Sequence, residues 1–502
     1  MARTARSARD LWVLIATIVG SSMAFIDGFV VTLALPSIQR EFHAGAGDVA
    51  WIVELYTLVV GSLMLIGGAL ADIYGRKRIF TMGVILFTIG SVGCAFAWSI
   101  PSMLFARVVQ GCGGMLLIPA SLAILGAHFT GTARDRAIAA WSAFGALTST
   151  LGPMLGGALI DSLGWRSVFW INIPLAALVL YATRVHVDES RDEHASRQLD
   201  LFGAGLVTIS LFAITYALIR GSAIGWHSIA TTGSAIAGVV VMGIFVVRDR
   251  RVKNPLIPPE VFASRTFGTI NVATLLLYGA LGANFYELPF VMIQGHGYNA
   301  LQTAFAILPM AACMVALARV GTALARIVGM RLWLTIGPTI VAIGFLLLAA
   351  FEPNATYWSS FFPGIFVIGI GLGLTVAPLT STVIDSVQSE HVGIASGINN
   401  AVSRVAGLLA VAALTAVLSA LYNASLDRSL DTIHATAAQR SEANAQRDRL
   451  GGARFKDQQL QHASTRAFER GFQGVAIGCA ILAVLAAITD ALGIHNEELK
   501  NT

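Results

Sequence analysis

Four charged residues stand inside long apolar segments of the chain, where a charge is costly. Asp27, Glu54, Arg107 and Glu287 each belong to a different apolar segment. A charged side chain within a bilayer is expensive unless it pairs or faces water, and such residues mark the pathways of ions and substrates. The sequence therefore predicts that these four residues do the chemistry of moving a solute across a membrane.

Counting residues along each apolar segment places the four charges at similar depth. At about 1.5 Å per helical residue, all four fall in the outer half of the membrane. Three acids against one arginine leave one or two carboxyl groups without a permanent ionic partner. We expect Asp27 and Arg107 to form a coupled pair, while Glu54 or Glu287 exchanges protons against substrate.

Each of these assignments has a plainer alternative. Asp27 could serve only to neutralise Arg107. Glu54 could lie at the outer rim, wetted by bulk solvent, and Glu287 could stand in an aqueous vestibule without coupling to transport. Asp161, Asp385 and Asp490, which lie at the ends of apolar segments, are expected at the membrane interface.

The composition agrees with a membrane protein. Hydrophobic residues make up 56% of the 502 residues and charged residues only 12%, whereas soluble domains carry about 25% charged residues. The net charge of +5 does not indicate a nucleic-acid partner, because the basic residues lie in loops between apolar segments. We find no phosphate-binding Gly-x4-Gly-Lys-Ser/Thr loop and no cysteine–histidine cluster, so the sequence predicts no nucleotide cofactor and no metal. The histidines, including His296, stand in loops and are expected to be solvated.

About fourteen segments are long enough to span a bilayer as helices. They lie near 11–36, 48–71, 79–98, 101–125, 136–160, 166–185, 201–221, 229–247, 266–294, 301–325, 332–351, 358–385, 392–421 and 469–493. The first is read as a retained span, since it is too long for a signal peptide. Nineteen arginines and lysines fall in short loops and tails on one side and three on the other. The positive-inside rule then predicts a multi-pass protein of the cell membrane with both termini cytoplasmic.

One long loop, about 423–465, is polar but carries apolar residues at helical spacing before and after Gly451-Gly452. This pattern predicts an amphipathic helical hairpin on the extracytoplasmic side. It is either a passive connector or a gate or partner surface over the substrate exit.

Three short motifs connect the chain to a known family. The predicted cytoplasmic turn after the second span contains Gly68, Asp72, Gly75, Arg76 and Arg78. Gly75 permits a tight reversal, and Asp72 can accept hydrogen bonds from a helix N-terminus or an arginine. This spacing resembles the signature loop of the major facilitator superfamily.

The other two motifs lie in the fourth and fifth spans. Arg107 is followed by Gln110, Gly111, Gly113 and Gly114, similar to the superfamily's second motif. The residues of the fifth span are Gly152, Pro153, Gly156 and Gly157, similar to the motif of its antiporters. Together with the number of spans, they make the chain resemble the fourteen-span drug:proton antiporters.

This resemblance implies an all-α membrane fold of two six-helix bundles plus two inserted helices. The expected domains are an N-terminal bundle at 1–200, two inserted helices and a cytoplasmic linker at 201–265, and a C-terminal bundle with the hairpin at 266–502. Gly111 and Gly113 are echoed by Gly369 and Gly371, as a repeated fold requires. The second copy of the signature loop keeps Gly329 and Arg331 but has Arg326 in place of Asp72.

The resemblance also implies a proton-coupled exporter rather than an enzyme, driven by the proton gradient without a cofactor. Its expected partners are small lipophilic or cationic substrates, protons and membrane lipids, and we expect a monomer. The alternatives are a specific metabolite or lipid transporter of the same architecture and a sensor that lost transport; the intact signature loop and the excess of buried acids argue against the sensor. Candidate cavity residues, chosen because aromatic faces attract cations and polar groups orient substrates, are Phe25, Trp51, Tyr56, Trp141, Phe144, Tyr278, Asn284, Phe285, Tyr286, Asn400 and Arg404.

Overall fold

The computed structural model of the protein describes residues 2–191, 200–224, 228–252, 255, 264–352, 356–387 and 392–494. Within these ranges the chain is helical and contains no strand, so the expected all-α class is confirmed. The α-helices are α1 Ala2–Phe42, α2 Ala46–Tyr74, α3 Arg76–Ala95, α4 Ile100–His128, α5 Gly131–Leu163, α6 Ser167–Trp170, α7 Asn172–His186, α8 Leu201–Ile224, α9 Ile229–Asp249, α10 Arg265–Phe290, α11 Ala300–Val328, α12 Met330–Ala349, α13 Tyr357–Ser360, α14 Phe362–Asp385, α15 Val392–Thr432, α16 Ala437–Ala445 and α17 Gln458–Gly493. A π-helix, Val291–Gly295, follows α10, and a 3-10 helix, Arg447–Gly452, follows α16.

Thirteen helical segments of the described chain are long and apolar enough to cross a membrane. They coincide with thirteen of the fourteen predicted spans. The remaining span, 136–160, lies within the 33-residue helix α5, whose apolar part is the shorter stretch Leu151–Leu163. The protein is therefore a multi-pass membrane protein. Much of the predicted linker before 265 lies outside the described residues, as do Arg197, Lys253 and Lys500, which were counted among the basic residues of the inside loops.

The polar segment 423–465 is largely helical, as its pattern predicts. It consists of the end of α15, the short helix α16, the 3-10 helix and the start of α17. Leu426, Leu430 and Leu460 are each no more than 1% exposed, which accounts for their helical spacing. The 3-10 helix has a kink at Leu450, which adopts φ 50°. Leu450 directly precedes Gly451 and Gly452. We use "hairpin" below for residues 423–465.

Contacts within the chain divide it into two compact units. The first comprises 1–42 and 51–208, and the second comprises 43–50 and 209–502. The core of the first unit is built around Phe80, Phe87 and Leu117. A core cluster of the second includes Phe267 and Leu334. The domain boundaries expected at 200 and 265 remain predictions.

Close helix packing repeats at matching positions in the two units. In the first unit, a Cβ on Gly113 of α4 would overlap the backbone of Phe87 in α3. In the second, a Cβ on Gly371 of α14 would lie 2.7 Å from the backbone nitrogen of Val341 in α12. Phe87 and Val341 are each the twelfth residue of a 20-residue helix. Small residues that let backbones approach this closely are typical of membrane helix pairs, and their matched positions show the repetition expected from the sequence.

The turn between α2 and α3 has the same backbone conformation as the turn between α11 and α12. Gly75 before α3 has φ 108° and ψ 126°, and Gly329 before α12 has φ 101° and ψ 137°. Glycine adopts this region without the steric penalty that a Cβ brings. The second copy of the signature loop therefore keeps its backbone geometry even though Arg326 replaces the acid.

We predict that Gly113→Ala lowers the stability of the first unit. The added methyl group would force α3 and α4 apart, and overpacking of this kind costs about 1–3 kcal/mol. The measurement is the thermal unfolding midpoint of the purified, detergent-solubilised protein. Gly205→Ala in α8 is the matched control, because a Cβ there meets no atom within 4 Å. Equal midpoints for the two variants would contradict this account of the packing.

Candidate functional site

Asp27 and Arg107 are in direct contact in the first unit. Arg107 Nη1 donates to Asp27 Oδ2 at 2.6 Å, and Gln110 Nε2 donates to Asp27 Oδ1 at 2.8 Å. Arg107 Nε donates to the Ile52 carbonyl oxygen at 2.8 Å, and its guanidinium carbon lies 4.4 Å from the centre of the Tyr56 ring. Both charged side chains are 1% exposed. The two carboxylate oxygens are thus satisfied by a cation and an amide, so the group joins α1, α2 and α4 as a buried clamp.

The spacing of the second motif explains how α4 presents this clamp. Arg107 and Gln110 are three residues apart and so share one face of the helix. Arg107 Nη1 also donates to Gln110 Oε1 at 2.8 Å, which orients the amide toward Asp27. Gly111 and Gly114 lie on the adjoining surface against Val59 and Tyr56 of α2. The glycines therefore bring α2 close enough for its backbone to accept from the arginine.

Glu54 on α2 is buried, and no ion pair involves it among the described residues. It is 1% exposed, which excludes the alternative of a rim residue wetted by bulk solvent. Within the described part of the chain its Oε2 has no hydrogen-bond partner. A buried ionised carboxylate needs a charged partner or several hydrogen bonds, so Glu54 stands as one candidate for a carboxyl group that carries a proton.

Glu287 on α10 is held by a neutral group. It is 3% exposed, and its Oε1 accepts a hydrogen bond from Thr415 Oγ1 of α15 at 2.6 Å. No ion pair involves it among the described residues. A hydroxyl can donate to a carboxylate or accept from a carboxylic acid. This partner therefore suits both protonation states, unlike the cation that faces Asp27.

The signature loop is held by two carboxylates. Asp72 accepts from Arg76 Nε at 2.9 Å and from Nη2 at 2.7 Å, so its partner in this structure is an arginine of its own motif. The amides of Lys77 and Arg78 at the start of α3 donate to Glu189 at 3.0 and 3.1 Å. A carboxylate is favoured there by the free N–H groups and the helix dipole. Glu189 was missed by sequence reasoning because it lies 111 residues from Arg78.

The two glycines of the signature loop, Gly68 and Gly75, lie close to neighbouring side chains. A Cβ on Gly75 would lie 2.7 Å from the Glu189 carboxyl group, and one on Gly68 would contact Pro119 of α4 at 3.5 Å. The Arg78 side chain is exposed. Gly68 could therefore carry a Cβ at ordinary contact distance, whereas Gly75, with φ 108°, is a position that favours glycine.

The fifth-span motif packs α5 against α1. A Cβ on Gly156 would overlap Val30, and one on Gly152 would lie 3.6 Å from Ile26. Pro153 stands in the interior of α5, where it removes one helical hydrogen bond, and Gly157 is buried. The motif therefore builds a close α1–α5 contact next to Asp27.

The candidate cavity residues divide by exposure. Tyr56, Asn284 and Tyr286 are at most 4% exposed and are packed within their units in this structure. Phe144 and Asn400 are exposed, and the partly exposed ones are Phe25, Trp51, Trp141, Tyr278, Phe285 and Arg404. Trp141 Nε1 donates to Ser21 Oγ at 2.9 Å and its ring meets Phe25 edge-on at 5.8 Å. These two aromatics form one surface where α5 meets α1.

Two ionisable residues near span ends are buried. Asp490, expected at the membrane interface, lies three residues before the end of α17; it is 0% exposed and neither carboxyl oxygen has a hydrogen-bond partner in the described chain. The expectation that His296 is solvated is wrong, because its side chain is 11% exposed and lies 3.7 Å from Glu469. A position near the end of a span does not by itself predict exposure to water.

Sequence reasoning missed Arg319, which lies within the span of α11. Together with Thr322 and Ala377 it lines an open cleft with a volume of about 420 Å³.

The chain is similar in sequence to known membrane transport proteins. The sequence profile of the Major Facilitator Superfamily matches residues 17–411. The multidrug resistance protein Stp of Mycobacterium tuberculosis is 34% identical over 81% of this chain and 75% of its own length. The cephamycin export protein CmcT of Amycolatopsis lactamdurans is 32% identical over 82% of this chain and 86% of its own. The methylenomycin A resistance protein of Bacillus subtilis is 30% identical over 81% and 87%.

Solved structures share the fold. A bacterial homologue of the human lysosomal transporter Spinster, in an inward-facing and unoccupied conformation, matches with a TM-score of 0.68 over 96% of this chain and 97% of its own. A peptide transporter in complex with sulfate matches with a TM-score of 0.62 over 96% and 95%. Their sequence identities of 16% and 14% make this a likeness of fold alone.

We predict that Asp27→Ala destabilises the protein by about 3–5 kcal/mol, because it leaves the Arg107 guanidinium buried without its carboxylate. The double variant Asp27→Ala/Arg107→Leu should be more stable than Asp27→Ala alone. Thermal unfolding in detergent measures both, with Arg40→Ala, a change at an exposed residue of the same helix, as the control. A double variant no more stable than the single one would show that the pair is not energetically coupled.

Proposed function

The chain belongs to the Major Facilitator Superfamily, and from that premise we propose that it exports hydrophobic or cationic compounds from the cytoplasm in exchange for protons. The observation that carries the proposal is Glu287, a buried carboxyl group whose hydrogen-bond partner is a hydroxyl rather than a cation. Such a group can hold either a proton or a bound cation. Glu54, with one unpartnered oxygen, is the second candidate for the same role.

The direction of transport and the class of substrate rest on the relatives. They are named for multidrug resistance, cephamycin export and methylenomycin resistance. The similarity extends over 75% to 87% of their lengths, which supports export of drug-like compounds by this chain. The polar residues near Glu287, such as Asn284 one turn earlier on α10, would orient a substrate by hydrogen bonds.

The proposed cycle alternates access to the two sides of the membrane. A proton from outside neutralises Glu287, and the protonated carboxyl group retains its bond to Thr415. After reorientation, a cationic substrate from the cytoplasm binds and the proton leaves to the cytoplasm, so the carboxylate balances the substrate's charge. Release of the substrate outside leaves the carboxylate ready for the next proton. The Asp27–Arg107–Gln110 clamp stays charged and bonded throughout.

The orientation in this proposal follows the basic residues of the short loops, which place both termini in the cytoplasm. The turn at Gly75 is then cytoplasmic. Asp72–Arg76 and the Glu189 cap on α3 hold that turn closed within the first unit. Breaking either contact would loosen the inner end of α2 and α3, which is the step that opening toward the cytoplasm requires.

The test is transport by the purified protein in proteoliposomes with an imposed pH gradient, using ethidium as the cation. Glu287→Gln keeps the shape and the hydrogen bond to Thr415 but cannot exchange a proton. We expect it to reduce gradient-driven transport on the order of a hundredfold, the size of effect typical of a lost proton-transfer group. Glu352→Gln, which alters an exposed glutamate, is the matched control and should transport like the wild type.

Two results would contradict the proposal. Undiminished gradient-driven transport by Glu287→Gln would remove that residue from proton coupling, and the same assay on Glu54→Gln would decide whether the role lies there. If the wild type transports ethidium at the same rate with and without the pH gradient, proton coupling is refuted altogether.

A further inference from the structure

A second ionisable pair lies farther along the helices that carry Glu287. After α10 the chain passes through the π-helix Val291–Gly295 and reaches His296, nine residues beyond Glu287. At about 1.5 Å per residue this is roughly 13 Å along the helix axis. In the orientation proposed above, His296 is the more external of the two. Single-turn π-helices are rare and occur frequently at functional sites.

His296 is enclosed by aromatic rings rather than by solvent. Its ring meets Phe361 edge-on at 5.0 Å and Phe351 at 5.7 Å, and these two phenylalanines stack at 5.4 Å. Phe351 is fixed in turn by Phe472 of α17 at 6.0 Å and by a hydrogen bond from Gln473 Nε2 to its carbonyl oxygen at 3.1 Å. The imidazole is therefore held in one place by rigid neighbours.

The imidazole faces a buried acid. His296 Nε2 lies 3.7 Å from Glu469 Oε1 on α17, and the two side chains are 11% and 6% exposed. Within the described residues Nε2 has no hydrogen-bond partner. The distance is just beyond hydrogen-bond length. A proton placed between the two atoms would close this gap with a charge-assisted bond.

The charged surroundings of the pair are simple. Arg466, three residues before Glu469 on α17, is the charged side chain that acts on the Glu469 carboxyl group. The two rings that meet His296, those of Phe351 and Phe361, are uncharged, and Glu352, next to Phe351, is exposed. Burial lowers the pKa of His296, because the imidazolium form loses its hydration.

The hairpin closes over this pair. A Cβ on Gly451, in the 3-10 helix, would lie 2.6 Å from the ring of Phe468 and 2.8 Å from Oε1 of Gln294 in the π-helix. Phe468 directly precedes Glu469, and Gln294 lies two residues before His296. The glycine therefore lets the hairpin turn sit against both elements that present the pair, whose side chains are largely buried.

We infer that His296 and Glu469 form a proton-binding site at the external end of the second unit, which takes up a proton before Glu287 does. This inference rests on the proposed proton coupling and adds the point of entry. A proton leaves water and bonds to His296 Nε2 or Glu469 Oε1, so the pair passes from one negative charge to none. Its onward transfer to Glu287 restores the negative charge. The uptake needs no oxidant, metal or cofactor.

The experiment measures ethidium transport in proteoliposomes while the pH on the external side is varied across about 5 to 8, the range in which histidine titrates. Glu469→Gln removes the negative charge that stabilises a proton on His296. The pH of half-maximal transport should therefore move down by about one unit or more. Glu469→Asp, which restores the charge, should recover most of the shift. His296→Gln removes the other acceptor and should also move the pH of half-maximal transport away from the wild-type value.

The matched control is His462→Gln, which alters an exposed histidine two turns earlier on α17 and should keep the wild-type profile. Equal ethidium counterflow exchange at low proton concentration, where no proton competes with the cation for Glu287, would show that the variants are folded. A wild-type profile in both Glu469→Gln and His296→Gln, with the wild type itself driven by the gradient, would overturn this inference alone. A wild type that does not respond to the gradient would instead refute the proposed function.

Discussion

The organising constraint of this structure is that a charge within an apolar helix is costly unless a partner inside the protein meets it. Asp27 and Arg107 meet this requirement with a salt bridge of 2.6 Å that is completed by Gln110 and a backbone carbonyl. Among the residues that the structure describes, the partner of Glu287 is the Thr415 hydroxyl. The two arrangements have opposite consequences, since a carboxylate matched by a cation keeps its charge, whereas one matched by a hydroxyl can change it. The proposed transport mechanism depends on this difference.

Helix packing is what allows these partners to meet. Gly111 and Gly114 bring α2 to the face of α4 that carries Arg107, and Gly156 brings α5 against α1 near Asp27. The same kind of contact recurs between α12 and α14 in the second unit, at the helix positions used by α3 and α4. Gly75 and Gly329 share one unusual backbone conformation. The turn geometry is therefore kept in the second copy, although Asp72 has no counterpart there.

Much of the fold could be predicted from hydropathy, because a span must be apolar over a fixed length. The polar extensions of α15 and α17 could not be predicted in this way. Helix α15 continues eleven residues beyond its predicted span, and helix α17 begins eleven residues before its own. The contact of Asp27 with Arg107 was foreseeable from depth and opposite charge. The Glu189 cap on α3, the enclosure of His296 and the burial of Asp490 were not, because each depends on which distant segments pack together. Position along a helix gives depth, but it does not tell whether a side chain faces a neighbour, the lipid or water.

The central claim is that one carboxyl group in the second unit exchanges a proton for a bound cation. Its most direct test is the release of protons when ethidium is added to the purified protein in weakly buffered detergent solution. The wild type should release protons, at most one per bound cation, because reciprocal linkage makes cation binding weaken proton binding at the same group, and Glu287→Gln should bind ethidium without that release. Equal proton release from both proteins would contradict the account.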